Sequence, residues 1–216
     1  MTRNLKISLA LVVVFVIGVA AALLIARADR DDAAATDKGA IAGVIRPDSH
    51  RLSNVPDGKV TFVEFLDFEC EACGAFFPLV EQLRGTYGDR VSFVVRYFPL
   101  PSHYNSERAA RAVEAAAQQG RFEQMYQKMY QTQAEWGEQR VPKDDVFRGY
   151  AVELGLDLAR YDTDYNAQAT VERVRADVAD GRALGVQGTP TFFLNGKRLS
   201  PRSYDELTRA FDDALR

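Results

Sequence analysis

The chain of 216 residues contains two cysteines, three apart, in the segment Cys70-Glu71-Ala72-Cys73. At positions i and i+3 of a helix two such side chains share a face and lie within reach of a disulfide. A pair of this kind supports dithiol–disulfide exchange, in which a thiolate attacks a disulfide sulfur. A structural staple fits less well, because so short a loop barely restrains the unfolded chain. Zinc fits less well again, since it takes four ligands and the other candidates, His50 and His103, are far apart in the chain. No metal and no organic cofactor is expected.

The elements around the pair decide its chemistry. Lys59 to Phe68 (KVTFVEFLDF) is rich in β-branched and aromatic residues and reads as a buried strand. Cys70 to Tyr87 reads as a helix stopped by Gly88, and Val91 to Phe98 as a second strand closed by Pro99-Leu100-Pro101. Cys70 thus opens a helix, where unpaired backbone N–H groups and the positive end of the dipole favour thiolate over thiol. Cys73, one turn further in, is expected to be more buried and to act as the resolving thiol. Glu69 and Glu71 oppose this by placing negative charge beside Cys70.

From Asn105 to about Leu184 the apolar spacing is helical, with stripes such as Ala109, Ala112, Val113, Ala116 and Phe122, Met125, Met129, Tyr130. These are core faces. Thr191 to Leu194 and Lys197 to Leu199 flank Asn195-Gly196, a hairpin signal, and Ser203 with Glu206 forms a capping box for a last helix. A strand–helix–strand unit implies a parallel pair with a right-handed crossover. The hairpin adds antiparallel strands, so the expected fold is a mixed α/β sheet with an inserted helical subdomain. Pro190, in Gly188-Thr189-Pro190-Thr191, opens a strand where it cannot donate to the ladder. A cis Thr189–Pro190 bond would account for it and leave the Thr189 backbone free to pair with an extended substrate, although such a proline is usually a trans residue at a strand edge.

With 47% hydrophobic and 26% charged residues the chain is of globular type, and its net charge of -3 argues against a nucleic-acid partner. The apolar residues are unevenly spread. Ile7 to Ala26 carry no charge over 20 residues, enough for a helix of about 30 Å, the thickness of a bilayer core. Residues 1–6 would then be a cytoplasmic stub, 7–26 a transmembrane anchor and 27–55 a linker. A cleaved signal is the alternative, and Ala26-Arg27-Ala28 fits a cleavage site. Either way the remainder, residues 56–216, would lie outside the cytoplasm, where disulfides persist.

FLDFECEACGAFFP, followed over a hundred residues later by GTPTFFLNG, resembles the thioredoxin fold in its DsbA-like branch. RYFPLPSHYNSERAARAVEAA and QGRFEQMYQKMYQTQAEW resemble that branch's helical insertion, here about residues 104–184. The resemblance implies that Cys70 attacks and Cys73 resolves. It implies that Pro190 is the cis-proline beside the pair and that Thr189 lines the substrate site. Glu64 stands where relatives carry a buried acid that moves the proton of the second cysteine; the competing reading is a strand carboxylate facing solvent. His103 matches a histidine common in the branch and is read as structural. The resemblance further implies an enzyme that oxidises thiols of reduced exported proteins and is reoxidised by a membrane quinone-linked partner. One departure bears on direction: strong oxidants of the branch carry a histidine between the cysteines, and Glu71-Ala72 stands here. A reductase or an isomerase using the same pair, and a chaperone module binding extended peptides, are the alternatives.

Overall fold

The computed structural model describes residues 43–216 except positions 57, 59 and 202. Its centre is a strand–helix–strand unit. β2 (Val60–Leu66) and β3 (Val91–Tyr97) pair in parallel from Val60↔Val91 to Leu66↔Tyr97, joined by α1 (Glu71–Tyr87). β4 (Thr191–Leu194) lies antiparallel to β2, and β5 (Lys197–Leu199) antiparallel to β4. Asn195 and Gly196 both take positive φ, the pairing that a tight hairpin turn requires. The sheet order is β1-β3-β2-β4-β5.

β1 (His50–Ser53) is antiparallel to β3 and corrects the sequence reading, which ran the linker to residue 55. Val44 is buried as well. The folded unit therefore starts before residue 56. Four residues with a single buried apolar side chain, Leu52, are too few to show a strand period; pairing with β3 is what makes the segment a strand. Residues 7–26, read as an anchor or signal, lie outside the described residues. Among the described residues no helix is long and apolar enough to cross a membrane.

Alternation along the strands separates the two sheet faces. Phe62 and Leu66 join the larger core beneath α1, together with Cys73, Phe192 and the last helix, α8 (Tyr204–Ala214). Phe211 of α8 packs its ring 5.1 Å from that of Phe62. Ser203 caps α8 as expected, accepting from the Glu206 N–H. Val63, Phe65, Val94 and Phe193 form the opposite face with Val186 and Phe98.

The helical block is resolved into α2 (Ser106–Ala117), α3 (Phe122–Gln131), α4 (Gln133–Trp136), α5 (Asp144–Glu153), α6 (Leu158–Asn166) and α7 (Gln168–Ala183). The small side chains of α2 let the other helices crowd against it, and both stripes expected from the sequence are buried. Helix α7 also returns to the second sheet face through Val178. At Gly181 a side chain would meet the Phe98 ring at 2.8 Å, so glycine sets that close approach. Arg96 is wholly buried there. It reaches Asp177 and Asp180 of α7 at 2.6 Å each, donates to the Val44 carbonyl, and stacks over Phe65.

Candidate active site

The sequence expectation carried the first strand to Phe68, but β2 ends at Leu66 because Asp67 turns the chain. The Asp67 backbone carbonyl accepts the Cys70 N–H at 3.2 Å. Its carboxylate accepts the N–H groups of Glu69 and Leu100, each at 2.9 Å, and binds His103 Nδ1 at 2.7 Å. One carboxylate thus fixes both the turn before the cysteines and the loop that opens the insertion. The hydrogen bond to Asp67, with a smaller contribution from that carboxylate's charge, pushes the His103 pKa up to about 9, so the imidazole is a cation at neutral pH. This fits the structural role read for His103 and adds a positive charge near Cys70.

Cys70 is the N-cap of α1, in extended backbone, and its carbonyl accepts the Gly74 N–H at 3.1 Å. Cys70 is 7% exposed and Cys73 1%, in the order expected. The two are not joined by a disulfide here. A hydrogen bond from the Cys73 thiol is the main cause that takes the Cys70 pKa down to about 5. Burial opposes it, and the Thr189 hydroxyl and the N–H groups of Cys73 and Ala72 add to it. Burial, with the hydrogen bond it gives to Cys70, pushes Cys73 well up. The two sulfurs are therefore split into an attacking thiolate and a proton-holding thiol.

The sequence reading expected negative charge from Glu69 and Glu71 to work against the Cys70 thiolate. The structure corrects this for Glu69. That residue is 1% exposed and turned inward, its carboxylate accepting the Asn105 N–H, and burial raises its pKa. The Asn105 N–H answers that carboxylate, and Glu69 is not among the main causes that set the Cys70 pKa.

Glu64 is 4% exposed and sits between Val95 and Phe192, on the sheet face that carries the cysteines. It does not face solvent. Burial raises its pKa to about 8, with smaller contributions from the charges of Cys70 and Glu81. At neutral pH it holds a proton, and its charge, once ionised, raises the pKa of the Cys73 thiol.

Thr189 and Pro190 are brought to the pair by the turn before β4. Their peptide bond is cis, and Cys70 Sγ lies 3.4 Å from the Thr189 carbonyl oxygen. Beside them a groove of about 280 Å³ is lined by Phe76, Pro190, Thr191, Phe192, Leu199 and Pro201. His50 is elsewhere, bonded to Glu114 at 2.6 Å and stacked on Phe122. Among the described residues, no three His, Cys, Asp or Glu side chains gather as they would around a metal.

The family described as Thioredoxin matches residues 54–213, strands β2 to β5, the cysteine pair and the insertion together. This chain belongs to the thioredoxin family. A thioredoxin-like oxidoreductase from Silicibacter pomeroyi DSS-3 superposes with a TM-score of 0.66 at 28% identity, covering 78% of this chain and 93% of its own. The alpha-DsbA1 of Wolbachia pipientis superposes with a TM-score of 0.68 at 17% identity, over 80% of this chain and 93% of its own, and at that identity shares the fold. A Na(+)/H(+) antiporter NhaA 1 of Mycobacterium sp. (strain KMS) is 37% identical over 159 residues, 71% of this chain. The chain spans 25% of that protein's length. This family member has the fold and the dithiol geometry of a thiol–disulfide oxidoreductase.

Sequence reasoning missed two residues at the site. Asp67 left a weak signal, an acid just after an apolar strand and three residues before the first cysteine. Gln133 left none. It donates to the carbonyls of Phe68 and Cys70 from more than sixty residues away in the chain.

Proposed function

We propose that this protein is an extracytoplasmic thiol–disulfide oxidoreductase that oxidises thiols of exported proteins through the Cys70–Cys73 pair. The observation that carries the direction is the lowered pKa of Cys70, about 5. A stabilised thiolate favours the dithiol form and makes the disulfide a better oxidant.

The reaction starts from the disulfide. A substrate thiolate attacks Cys70 Sγ, the Cys70–Cys73 bond breaks, and Cys73 leaves as a thiolate. Its pKa is well above the usual thiol range, so it takes a proton at once, and in this reading Glu64, buried and protonated up to about pH 8, supplies it. A second substrate thiolate then attacks the substrate sulfur of the mixed disulfide and expels Cys70 as the stable thiolate. The substrate dithiol loses two electrons and the enzyme disulfide gains them. Thr189 and Pro190 would hold the substrate backbone while the groove beside them takes its side chains.

Reoxidation falls to a membrane quinone-linked partner, and an anchor formed by residues 7–26 would keep the domain beside it. The test replaces Cys70 and Cys73 by serine, singly, and follows oxidative refolding of a reduced secreted protein. Both variants should lose the activity; retention of full activity in both would overturn the proposal. Equilibration of the wild type with glutathione then fixes direction, since a potential near that of thioredoxin would mean a reductase.

A further inference from the structure

Gln133 stands at the start of α4 in the helical insertion, where Trp136 anchors the turn by packing edge-on against Phe147 at 4.9 Å. Its Nε2 lies 2.7 Å from the Phe68 carbonyl oxygen and 2.9 Å from that of Cys70. A side-chain amide has two N–H donors, so both are used, and both fall on the turn that carries the attacking sulfur. The amide fits because position 74 is glycine: a Cβ there would lie 2.1 Å from Gln133 Oε1. Gly74 lies inside α1, and an alanine there would form helix more readily by about 1 kcal/mol. Stability therefore gives no reason for the glycine, whereas the amide beside it does.

We propose that Gln133 is the positioning residue of the dithiol, holding the Phe68–Cys70 turn so that the first N–H groups of α1 stay aimed at Cys70 Sγ, with Gly74 as the gap that admits it. The proposal rests on the redox reading above. Through this contact the insertion, which supplies neither cysteine, sets the balance between dithiol and disulfide. The two N–H groups also offset the negative ends of the Phe68 and Cys70 carbonyls beside the thiolate. Without them the thiolate is less stable, and the disulfide is a weaker oxidant.

The test equilibrates the full chain with glutathione, one enzyme disulfide and two glutathione thiols giving one enzyme dithiol and one glutathione disulfide. Gln133→Ala should lower the equilibrium constant for reduction about three- to tenfold, the effect of losing hydrogen bonds of ordinary strength. It should also raise the pH at which the Cys70 thiolate absorbance appears. Gly74→Ala should give the same shift with no loss of stability in denaturant, because the new methyl displaces the end of a flexible side chain and not backbone. The double variant should be no weaker an oxidant than either single one, as expected for two residues acting through one contact. Gln133→Glu, which sets carboxylate oxygens against carbonyls, should shift the constant further than alanine. A wild-type constant in Gln133→Ala, or additive effects in the double variant, would overturn the proposal. A wild-type chain that exchanges nothing with glutathione would overturn the redox reading and this one with it.

Discussion

The two faces of the sheet bury ionisable groups in opposite ways. On the α7 face, Arg96 is wholly buried yet fully answered, by Asp177, Asp180 and a carbonyl, and Arg173 adds a second ion pair to Asp177 at 2.7 Å. On the α1 face, Glu64 is buried beside two sulfurs with no cation among the causes of its shift, and its pKa rises to about 8. A buried charge with partners fastens one element to another. A buried acid without a cation gives up its charge instead, and so becomes a proton store at neutral pH. Burial alone thus does not mark function; the lack of an opposite charge does.

The contrast can be broken by experiment. Arg96→Leu leaves Asp177 to Arg173 and Asp180 to Arg46, and should cost about 3 kcal/mol of stability, read from denaturant midpoints. The glutathione equilibrium should be unchanged, because none of these groups faces the cysteines. A redox shift as large as the stability loss would erase the division between the faces.

Glu64→Gln should do the reverse. The carboxyl keeps its proton in the folded state up to about pH 8 and loses it near 4.5 when unfolded. Between those values the folded state binds more protons, so wild-type stability falls as pH rises. The glutamine variant should lack that slope, and in the oxidised protein it should be more stable than wild type by a few kcal/mol at pH 8 but not at pH 4. Its exchange with reduced substrate should also be slower, as Cys73 loses its proton donor.

Cys70 contributes a slope of opposite sign, in the reduced protein only. Its pKa falls from 9.0 to about 5 on folding. The stability it gives is complete above about pH 9, declines as pH falls, and is gone below about 5. Denaturation midpoints of the reduced form should therefore rise relative to the oxidised form across that window. Solvent reaches part of the sulfur and weakens the shift, so the total gain across the window should be the smaller of the two. The smallest effect is expected at Arg148 and Asp162, paired at 2.8 Å but half exposed. Arg148→Ala should leave the midpoint where it was, since solvent competes for both charges.

Much of the framework was legible in the chain itself. Cysteine spacing at a strand-to-helix junction, the β-branched and aromatic run around Glu64, the hairpin dipeptide and the helical stripes each depend on neighbours within a few residues. Local sequence carries such signals directly. The edge strand His50–Ser53 was not legible, because its identity is borrowed from β3. The direction in which Glu69 points was not legible either. Its charge was read as an influence on Cys70, while the fold hands its carboxylate to Asn105.

The sequence by itself therefore determined the chemistry available: two thiols at dithiol spacing, an acid on the strand before them, and a proline after them. Tertiary structure decided how that chemistry is poised. It split the two sulfurs between thiolate and thiol, left Glu64 without a cation, set His103 on Asp67, and laid Gln133 across the turn against Gly74. The physical reason is range. Backbone propensity and apolar period act over a few residues, whereas desolvation and hydrogen bonding depend on what folding brings together from far along the chain.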